Sequence, residues 1–494
     1  MSDAITVSAV LPPGADELVE RAVRHCAATE GVRADNLQRG IACYESALEF
    51  YTQAAYPAQW AVIQNNLGAA YEELHTGNRA DHVRKAIACY ESALRVHTES
   101  DHPTEWAAAQ NNLGTAWAEL RSGDRGEHLR TAIACHESAL RVFTEATHPE
   151  PWAEVQNNLG AAYAELPAGD RGENLRQAIA CYEGALRVYG EAGLLALWAA
   201  TQSNLGVVYE ELPVGDRSVN LRHAINCYEA ALGAYTEAEH PNQWATTQNN
   251  MGNAYEQMPA GDRAENLRKA IACHEVALRV HTETEHPSQW ATTQNNLGAA
   301  YTELPSGDRA ANLQRAIACF EAALRVRTET EAPNQWATTQ TNLGIAYGEL
   351  STGDPAENLG KAIACHEAAL RVHTEIDHPA QWAEAQNNLG AAYALLPALN
   401  REECLSRAVA CYESALRVRT EADFPLAWSM TQANLGMVLE ELADLTSNAA
   451  LVRRAVACYE AAQRGYAHSG CADEANTMRE YADEARTNFA ASMS

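Results

Sequence analysis

The sequence predicts an all-α fold, a solenoid of antiparallel helix pairs built from nine 46-residue repeats with capping helices at both ends. Tryptophan recurs at a constant spacing, two apolar stripes of helical period lie in each spacing, and a Gly-Asp turn usually separates them. A solenoid grows by stacking, so a chain of 494 residues need not divide into separate globular domains. The tryptophans that set the register are Trp60, Trp106, Trp152, Trp198, Trp244, Trp290, Trp336, Trp382 and Trp428.

Each repeat is predicted to contain two helices, called helix A and helix B below. In the second repeat Pro103 stands at the start of helix A, where the missing N–H of proline would have no partner in any case. Trp106 and Leu113 then mark an apolar helical stripe. Asp124 is a good N-cap for helix B, and Glu127 completes a capping box three residues later.

Helix B is also expected to carry ion pairs along its outer face. Glu137 and Arg141 are four residues apart with the acid first, the order that stabilises a helix by roughly 0.2–0.5 kcal/mol. The same spacing recurs at Glu91/Arg95, Glu183/Arg187, Glu275/Arg279, Glu321/Arg325, Glu367/Arg371 and Glu413/Arg417.

The two ends depart from the repeat, as the ends of a solenoid must in order to cover its apolar face. We expect residues 1–56 to form an N-terminal cap and half repeat, residues 57–465 the solenoid, and residues 466–494 a capping helix and tail. Two internal stretches are irregular. Residues 190–197 replace a His-Pro turn with apolar residues, and residues 399–401 replace Gly-Asp-Arg.

The repeated motifs resemble those of the tetratricopeptide family. Asn-Leu-Gly-x-x-Tyr at 66–71 is similar to its first helix, and Ala-Ile-x-x-Tyr-x-x-Ala-Leu at 86–94 to its second. The units here are longer than the usual repeat of about 34 residues. They resemble the long-helix arrays of kinesin light chains and Pins-type scaffolds, and still more the bacterial arrays that precede caspase-like CHAT protease domains. The resemblance implies a right-handed superhelix whose A helices line a concave groove.

The formal net charge of the chain is −29. A strongly acidic protein repels phosphate backbones and anionic lipid, so we expect neither nucleic acid nor a membrane as partner. No stretch is apolar enough to span a membrane, and the N-terminus has no secretory pattern, so the sequence predicts a cytoplasmic protein.

The cysteines and histidines are expected to be structural. Ten of the thirteen cysteines occupy one helix-B position and have no metal-ligand spacing, so we expect reduced, buried thiols. Histidines follow some of these cysteines, but their repetition argues against a unique Cys–His catalytic pair. The sequence therefore predicts no cofactor, no metal and no enzymatic activity.

One asparagine position is shared by all nine A helices, and the residue before it is also asparagine in six of them. In O-linked N-acetylglucosamine transferase and kinesin light chain, asparagines at the matching position bind an extended peptide backbone, so the resemblance implies the same role here. Alternatively, these amides bond to neighbouring helices and hold the repeats in register. The residues are Asn66, Asn112, Asn158, Asn204, Asn250, Asn296, Asn342, Asn388 and Asn434, with Asn65, Asn111, Asn157, Asn249, Asn295 and Asn387 before them.

An acidic position lies about two helical turns beyond the asparagines on nearly the same face. If it lines the groove, it selects a basic or polar extended segment. A solvated acidic face is the alternative. The residues are Glu73, Glu119, Glu165, Glu211, Glu303, Glu349 and Glu441.

These observations favour a non-catalytic scaffold or adaptor that holds an extended segment of a protein partner. Two other functions stay open. The array could self-associate into a dimer or filament, or it could bind a small molecule as a regulator, since its repeats are rich in aromatic side chains.

Overall fold

The computed structural model describes residues 14–28, 31–397 and 400–492. Residues 1–13 and 29–30 of the expected N-terminal cap, Leu399 of the second irregular stretch and the last two residues of the expected tail lie outside the described part. The chain forms two compact units, residues 1–243 and 244–494, called the N-terminal half and the C-terminal half below. The domain boundaries at 56 and 465 stay a prediction.

The described residues of the N-terminal half contain ten complete helices. They are α1 (Ala15–Ala27), α2 (Arg33–Leu48), α3 (Pro57–Glu73), α4 (Arg79–Ala93), α5 (Pro103–Glu119), α6 (Arg125–Ala139), α7 (Pro149–Glu165), α8 (Arg171–Glu191), α9 (Leu195–Glu211) and α10 (Arg217–Ala234). The next helix, α11 (Pro241–Gln257), starts at the end of this half.

The described residues of the C-terminal half contain ten more complete helices. They are α12 (Arg263–Ala277), α13 (Pro287–Glu303), α14 (Arg309–Leu324), α15 (Pro333–Glu349), α16 (Pro355–Ala369), α17 (Pro379–Leu395), α18 (Arg401–Ala415), α19 (Pro425–Thr446), α20 (Ala449–His468) and α21 (Ala472–Ser492). The odd-numbered helices α3 to α19 are the A helices of repeats 1 to 9, and the even-numbered helices α4 to α20 are the B helices. The all-α array of helix pairs that the sequence predicts is confirmed.

The helices start where the sequence predicts. Every A helix except α9 begins at a proline, and every B helix begins one residue after an Asp or Asn whose side chain caps it. In repeat 2 the Oδ1 atom of Asp124 accepts a hydrogen bond from the backbone N–H of Glu127 at 3.0 Å. Gly123 precedes this cap with φ of 103°, a conformation that glycine adopts without steric cost.

A glycine in each A helix brings the two helices of a repeat into close contact. A Cβ atom on Gly298 would lie 2.7 Å from the ring of Phe320, which is fully buried in helix B. The same pairing holds in every repeat, so the Leu-Gly motif marks the position where an aromatic ring lies against the backbone. The other pairs are Gly68/Tyr90, Gly114/His136, Gly160/Tyr182, Gly206/Tyr228, Gly252/His274, Gly344/His366, Gly390/Tyr412 and Gly436/Tyr459.

The prediction of ion pairs within helix B is wrong for five of the arginines, because each of them pairs with a glutamate of the preceding repeat. Helix α6 ends at Ala139, so Arg141 lies beyond it. Its guanidinium donates to Glu99 of the preceding repeat, with Nη2 at 2.8 Å from Oε2, and lies 5.1 Å from the ring centroid of Trp106. Equivalent bonds between repeats are Arg187–Glu145, Arg325–Glu283, Arg371–Glu329 and Arg417–Glu375.

The first irregular stretch changes the length of two elements. Helix α8 continues to Glu191 and has 21 residues, whereas most other B helices have 15 or 16. The following turn is short, and α9 begins at Leu195 with its side chain 63% exposed. The apolar turn therefore leaves leucine side chains in contact with solvent.

Candidate functional site

One face of each A helix is not covered by its own helix B. In α15 this face carries Thr338, Asn342, Ile345 and Glu349, which are exposed or half-buried, while Trp336 on the opposite side is buried. The spacing of four, three and four residues places these four side chains in one stripe along the helix. We call the corresponding stripe of every A helix its free face.

The asparagines common to all nine repeats lie on the free face. Eight of them are half-buried and Asn204 is exposed. In the C-terminal half, Asn342 and Ile345 line a cleft of about 460 Å³ together with Ala299 of α13 and Glu384 of α17. These nine asparagines, called the asparagine ladder below, therefore keep part of their surface accessible on this face.

Several ladder asparagines also contact the preceding repeat. Asn112 donates from Nδ2 to Oδ1 of Asn65 at 3.2 Å, a bond between neighbouring A helices. The equivalent bonds are Asn158 to Asn111 at 3.3 Å, Asn296 to Asn249 at 3.4 Å and Asn342 to Asn295 at 3.3 Å. Each of these amides thus has part of its hydrogen-bonding capacity engaged in repeat packing. A side-chain amide has two donors and an acceptor with two lone pairs, so capacity is left for a ligand.

The asparagines that precede the ladder belong to the packing between repeats. Asn111, Asn249 and Asn295 are buried, whereas Asn65, Asn157 and Asn387 are half-buried. The Oδ1 atom of Asn295 accepts a hydrogen bond from the Thr339 hydroxyl of the next repeat at 3.1 Å. Equivalent bonds join Thr201 to Asn157 and Thr431 to Asn387. These six residues therefore belong to the contacts between repeats that hold the ladder asparagines in place.

The seven glutamates of the acidic position lie at the end of the free face, and each contacts an arginine of the preceding repeat. The arginine is the first residue of the preceding helix B, 40 residues earlier in the chain. These arginines are not predicted from the sequence as partners of the glutamates, although the recurrent Gly-Asp-Arg turn marks most of them. The pairs are Arg33–Glu73, Arg79–Glu119, Arg125–Glu165, Arg171–Glu211, Arg263–Glu303, Arg309–Glu349 and Arg401–Glu441.

These ion pairs reduce the negative charge that the free face presents. Partial burial acts to raise the pKa of Glu165, but Arg125 and Arg121 outweigh it and hold the pKa below its usual value. The glutamates nonetheless stay accessible, since the side chain of Glu349 is 49% exposed. The acidic position is therefore a row of accessible, charge-paired carboxylates.

A second cleft lies at the start of the N-terminal half, with a volume of about 530 Å³. Val62 of α3 lines it and is 44% exposed. Asp16 and Glu20 of α1 and Glu105 of α5 contribute carboxylates to its wall. Sequence reasoning missed this site, because its wall combines residues of α1, α3 and α5, which are far apart in the sequence.

The cysteines are buried or half-buried, and the histidines that follow some of them are buried. All thirteen cysteines are free, and burial raises the pKa of Cys135 to about 11, which disfavours the nucleophilic thiolate. His136, His274 and His366 are buried, and burial lowers their pKa to about 4, 3 and 4. Within the described residues, no group of His, Cys, Asp and Glu could hold a metal ion, and no helix there is long and apolar enough to cross a membrane.

No protein-family model matches the chain, and no curated protein matches it. Several solved structures are similar at low identity. IFIT1, as a monomeric mutant with Gppp-AAAA, has 13% identity and a TM-score of 0.48, with 96% of this chain and 95% of that chain covered. A STAND protein with a tetratricopeptide repeat sensor from Pyrococcus horikoshii has 14% identity, a TM-score of 0.46, and coverage of 93% and 69%. A TPR repeat-containing protein from Cytophaga hutchinsonii has 12% identity, a TM-score of 0.37, and coverage of 59% and 92%.

At these identities and TM-scores, no single likeness says what this chain binds. The tetratricopeptide-type architecture is instead shown by the helix pairs themselves. The glycine contacts recur in all nine repeats, and the A helices start at equivalent positions, where α9 has Leu195 in place of proline. The Leu-Gly-x-x-Tyr motif is complete in six repeats, and Trp117, Met251 and Leu439 are the substitutions in the other three.

Proposed function

We propose that this protein is a non-catalytic scaffold or adaptor whose A-helix free faces hold an extended segment of a protein partner. The observation that carries the proposal is the asparagine ladder. Its side chains are half-buried or exposed on the one helix face that helix B leaves open. An amide that both donates and accepts can bond a peptide backbone whatever the side chains of that peptide are.

The proposal also gives a role to the packing contacts of the ladder. Because Asn342 donates to Asn295, and Asn295 accepts from Thr339, the ladder amide is held in one orientation before any ligand arrives. A group that is ordered in advance loses less entropy on binding. Repeat packing and ligand binding are therefore compatible roles for these asparagines.

We propose that the partner segment is polar or moderately basic. The acidic position contributes accessible carboxylates that a lysine or arginine of the partner would share with the arginine already present. Because each carboxylate is paired, this selectivity is weaker than that of seven free charges. The net charge of −29 disfavours nucleic acid and anionic membranes, and we propose a cytoplasmic setting.

The test is a pull-down from the lysate of the native host with the variant Asn296→Ala/Asn342→Ala/Asn388→Ala. Three ladder contacts at a net ~1 kcal/mol each would weaken the complex by roughly 100-fold. The expected result is loss of a partner that the wild-type protein retains, with the circular dichroism spectrum of the variant unchanged.

The matched control is Thr339→Ala/Thr431→Ala. These substitutions remove one buried and one partly buried bond between repeats, at 3.1 Å each, without removing a side chain of the free face. The control should keep the partner, with an affinity that falls by much less than about 100-fold, because it loses only the orientation of the ladder amides and not their contacts with the ligand. If both variants lose it equally, packing and not ligand contact explains the effect; if the asparagine variant loses nothing, the ladder does not bind the partner.

A further inference from the structure

The last A helix, α19, has an apolar free face. Leu426 is 45% exposed, Met430 49%, Met437 45% and Leu445 54%. Their spacing of four, seven and eight residues places them in one stripe, which Asn434 and Glu441 interrupt. Large apolar side chains this exposed, in one stripe, mark an interaction surface more often than they are left to solvent.

The full apolar stripe of α19 does not recur at the equivalent positions of repeats 6 and 7. The position of Met430 carries Thr292 in repeat 6 and Thr338 in repeat 7. The position of Leu426 carries serine or asparagine in the same two repeats. Leu445 has no counterpart, because α19 has 22 residues and the other A helices have 17. The position of Met437 carries Ala299 and Ile345. The array therefore folds with polar residues at the first two positions of the stripe, and repeat 9 differs there for another reason.

A cleft lies between α17 and α19 at the same end as Leu426. It has a volume of about 260 Å³, and Val418, Phe424 and Ala427 form its apolar lining. Phe424 is 40% exposed and takes the place of the histidine found before most A-helix prolines. The cleft is large enough for an apolar side chain that a partner inserts beside the stripe.

Three carboxylates lie on or beside this surface, those of Glu384, Asp444 and Glu441, although Glu441 is paired with Arg401. Glu384 lines the cleft and is exposed. Asp444, also exposed, lies two helical turns after Met437 and so on the same face. The one cation in the cleft lining is Arg419, whose Nη1 donates to the Thr431 hydroxyl at 3.0 Å and whose pKa burial lowers. A partner that carries cations is therefore favoured over an acidic one.

We propose that this surface docks an amphipathic helix of a partner protein, with apolar side chains at helical spacing and lysine or arginine beside them. An amphipathic helix fits a stripe of four apolar side chains, because its own apolar residues form a stripe along one face that can lie against it. Methionine suits such a role, since its flexible side chain adapts to the packing of a partner. The proposal goes beyond the ladder and does not depend on it. A second copy of this chain would bring the same carboxylates to the contact and is disfavoured by like-charge repulsion.

The test measures fluorescence anisotropy of a labelled synthetic helix, about 14 residues of leucine and lysine with leucine on one face, titrated with the full chain. The variant is Leu426→Ser/Met430→Thr/Met437→Ala, in which each new residue is one that repeat 6 uses at that position. The control is Ile376→Thr, which removes an apolar side chain that is 90% exposed in a turn.

The expected result is binding by the wild type and the control, with a loss on the order of 30-fold in the triple variant. A peptide with glutamate in place of lysine should bind at least about tenfold more weakly, because the carboxylates around the stripe repel it. Equal affinity of the triple variant and wild type would overturn the proposal, as would equal affinity for the two peptides. So would light scattering that shows a wild-type dimer which the triple substitution dissociates, or binding to anionic vesicles in place of the peptide.

Discussion

Acid should destabilise the repeats in which a buried histidine lies under the helix-A glycine. His366 is 2% exposed and lies against the backbone of Gly344. Repeat 6 has Phe320 and repeat 8 has Tyr412 at the same position. The substitution His366→Phe therefore removes a titrating group and installs a side chain that the array already accommodates.

The size of the effect follows from the pKa of His366. Burial lowers that pKa from 6.5 to about 4, because the charged imidazolium loses its hydration. Between those values the unfolded state binds more protons than the folded state. The contribution of His366 to the free energy of unfolding is therefore fully present above about pH 6.5 and is lost as the pH drops toward 4. At pH 5 the loss is about 2 kcal/mol for this one histidine. Glu72 acts in the opposite direction, since burial raises its pKa to about 7, so only a difference between variants isolates His366.

The assay is native-state hydrogen exchange of α15 and α16 at pH 8 and pH 5, because a long repeat array need not unfold in one step. We expect the wild type to lose about 2 kcal/mol more protection than His366→Phe between the two values of pH. The control Tyr412→Phe should leave the pH dependence unchanged, because burial moves the pKa of Tyr412 even further above this range. An identical pH dependence of His366→Phe and wild type would refute the reasoning.

Two further predictions concern the packing within and between repeats. Gly298→Ala should cost about 1–3 kcal/mol in thermal unfolding, because its Cβ would meet the ring of Phe320. Gly348→Ala is the control, since its Cβ would lie at an ordinary 3.9 Å from Ala362, and it should be neutral or slightly stabilising; equal losses would contradict the close-contact explanation. Glu165→Gln should cost no more than about 1 kcal/mol, because the Glu165 side chain is 47% exposed and salt screens its ion pairs. A cost that persists at about 1 M salt would contradict this.

The positions of the helices could be predicted from the sequence because their signals are local. Proline before the tryptophan marks the start of helix A, and Asp124 marks the start of helix B. The Leu-Gly motif predicted a helix-A core position, although not the aromatic ring that explains the glycine. Regular repetition made each of these signals visible several times.

The partners of charged side chains could not be predicted, because they depend on the stacking of successive repeats. Arg141 is four residues from Glu137, but it bonds Glu99, which is 42 residues away. The glutamates of the acidic position likewise pair with arginines 40 residues earlier. Rules for neighbouring positions on one helix do not include such contacts. The resemblance predicts that the ladder asparagines line an open groove, but their bonds to the preceding repeat depend on how the repeats stack.

The most direct test of the ladder proposal is site-specific photo-crosslinking. A photoreactive amino acid is placed on the free face at Thr338 or Ala299, and on the outer face of helix B at Ala318 or Ala364, which are exposed. Each variant is irradiated in the lysate of the native host, and the crosslinked peptides are sequenced. The account predicts one partner segment crosslinked from both free-face positions and from neither helix-B position. Crosslinks from helix B alone, or equally from both faces, would contradict the claim that the asparagine-bearing face holds the partner.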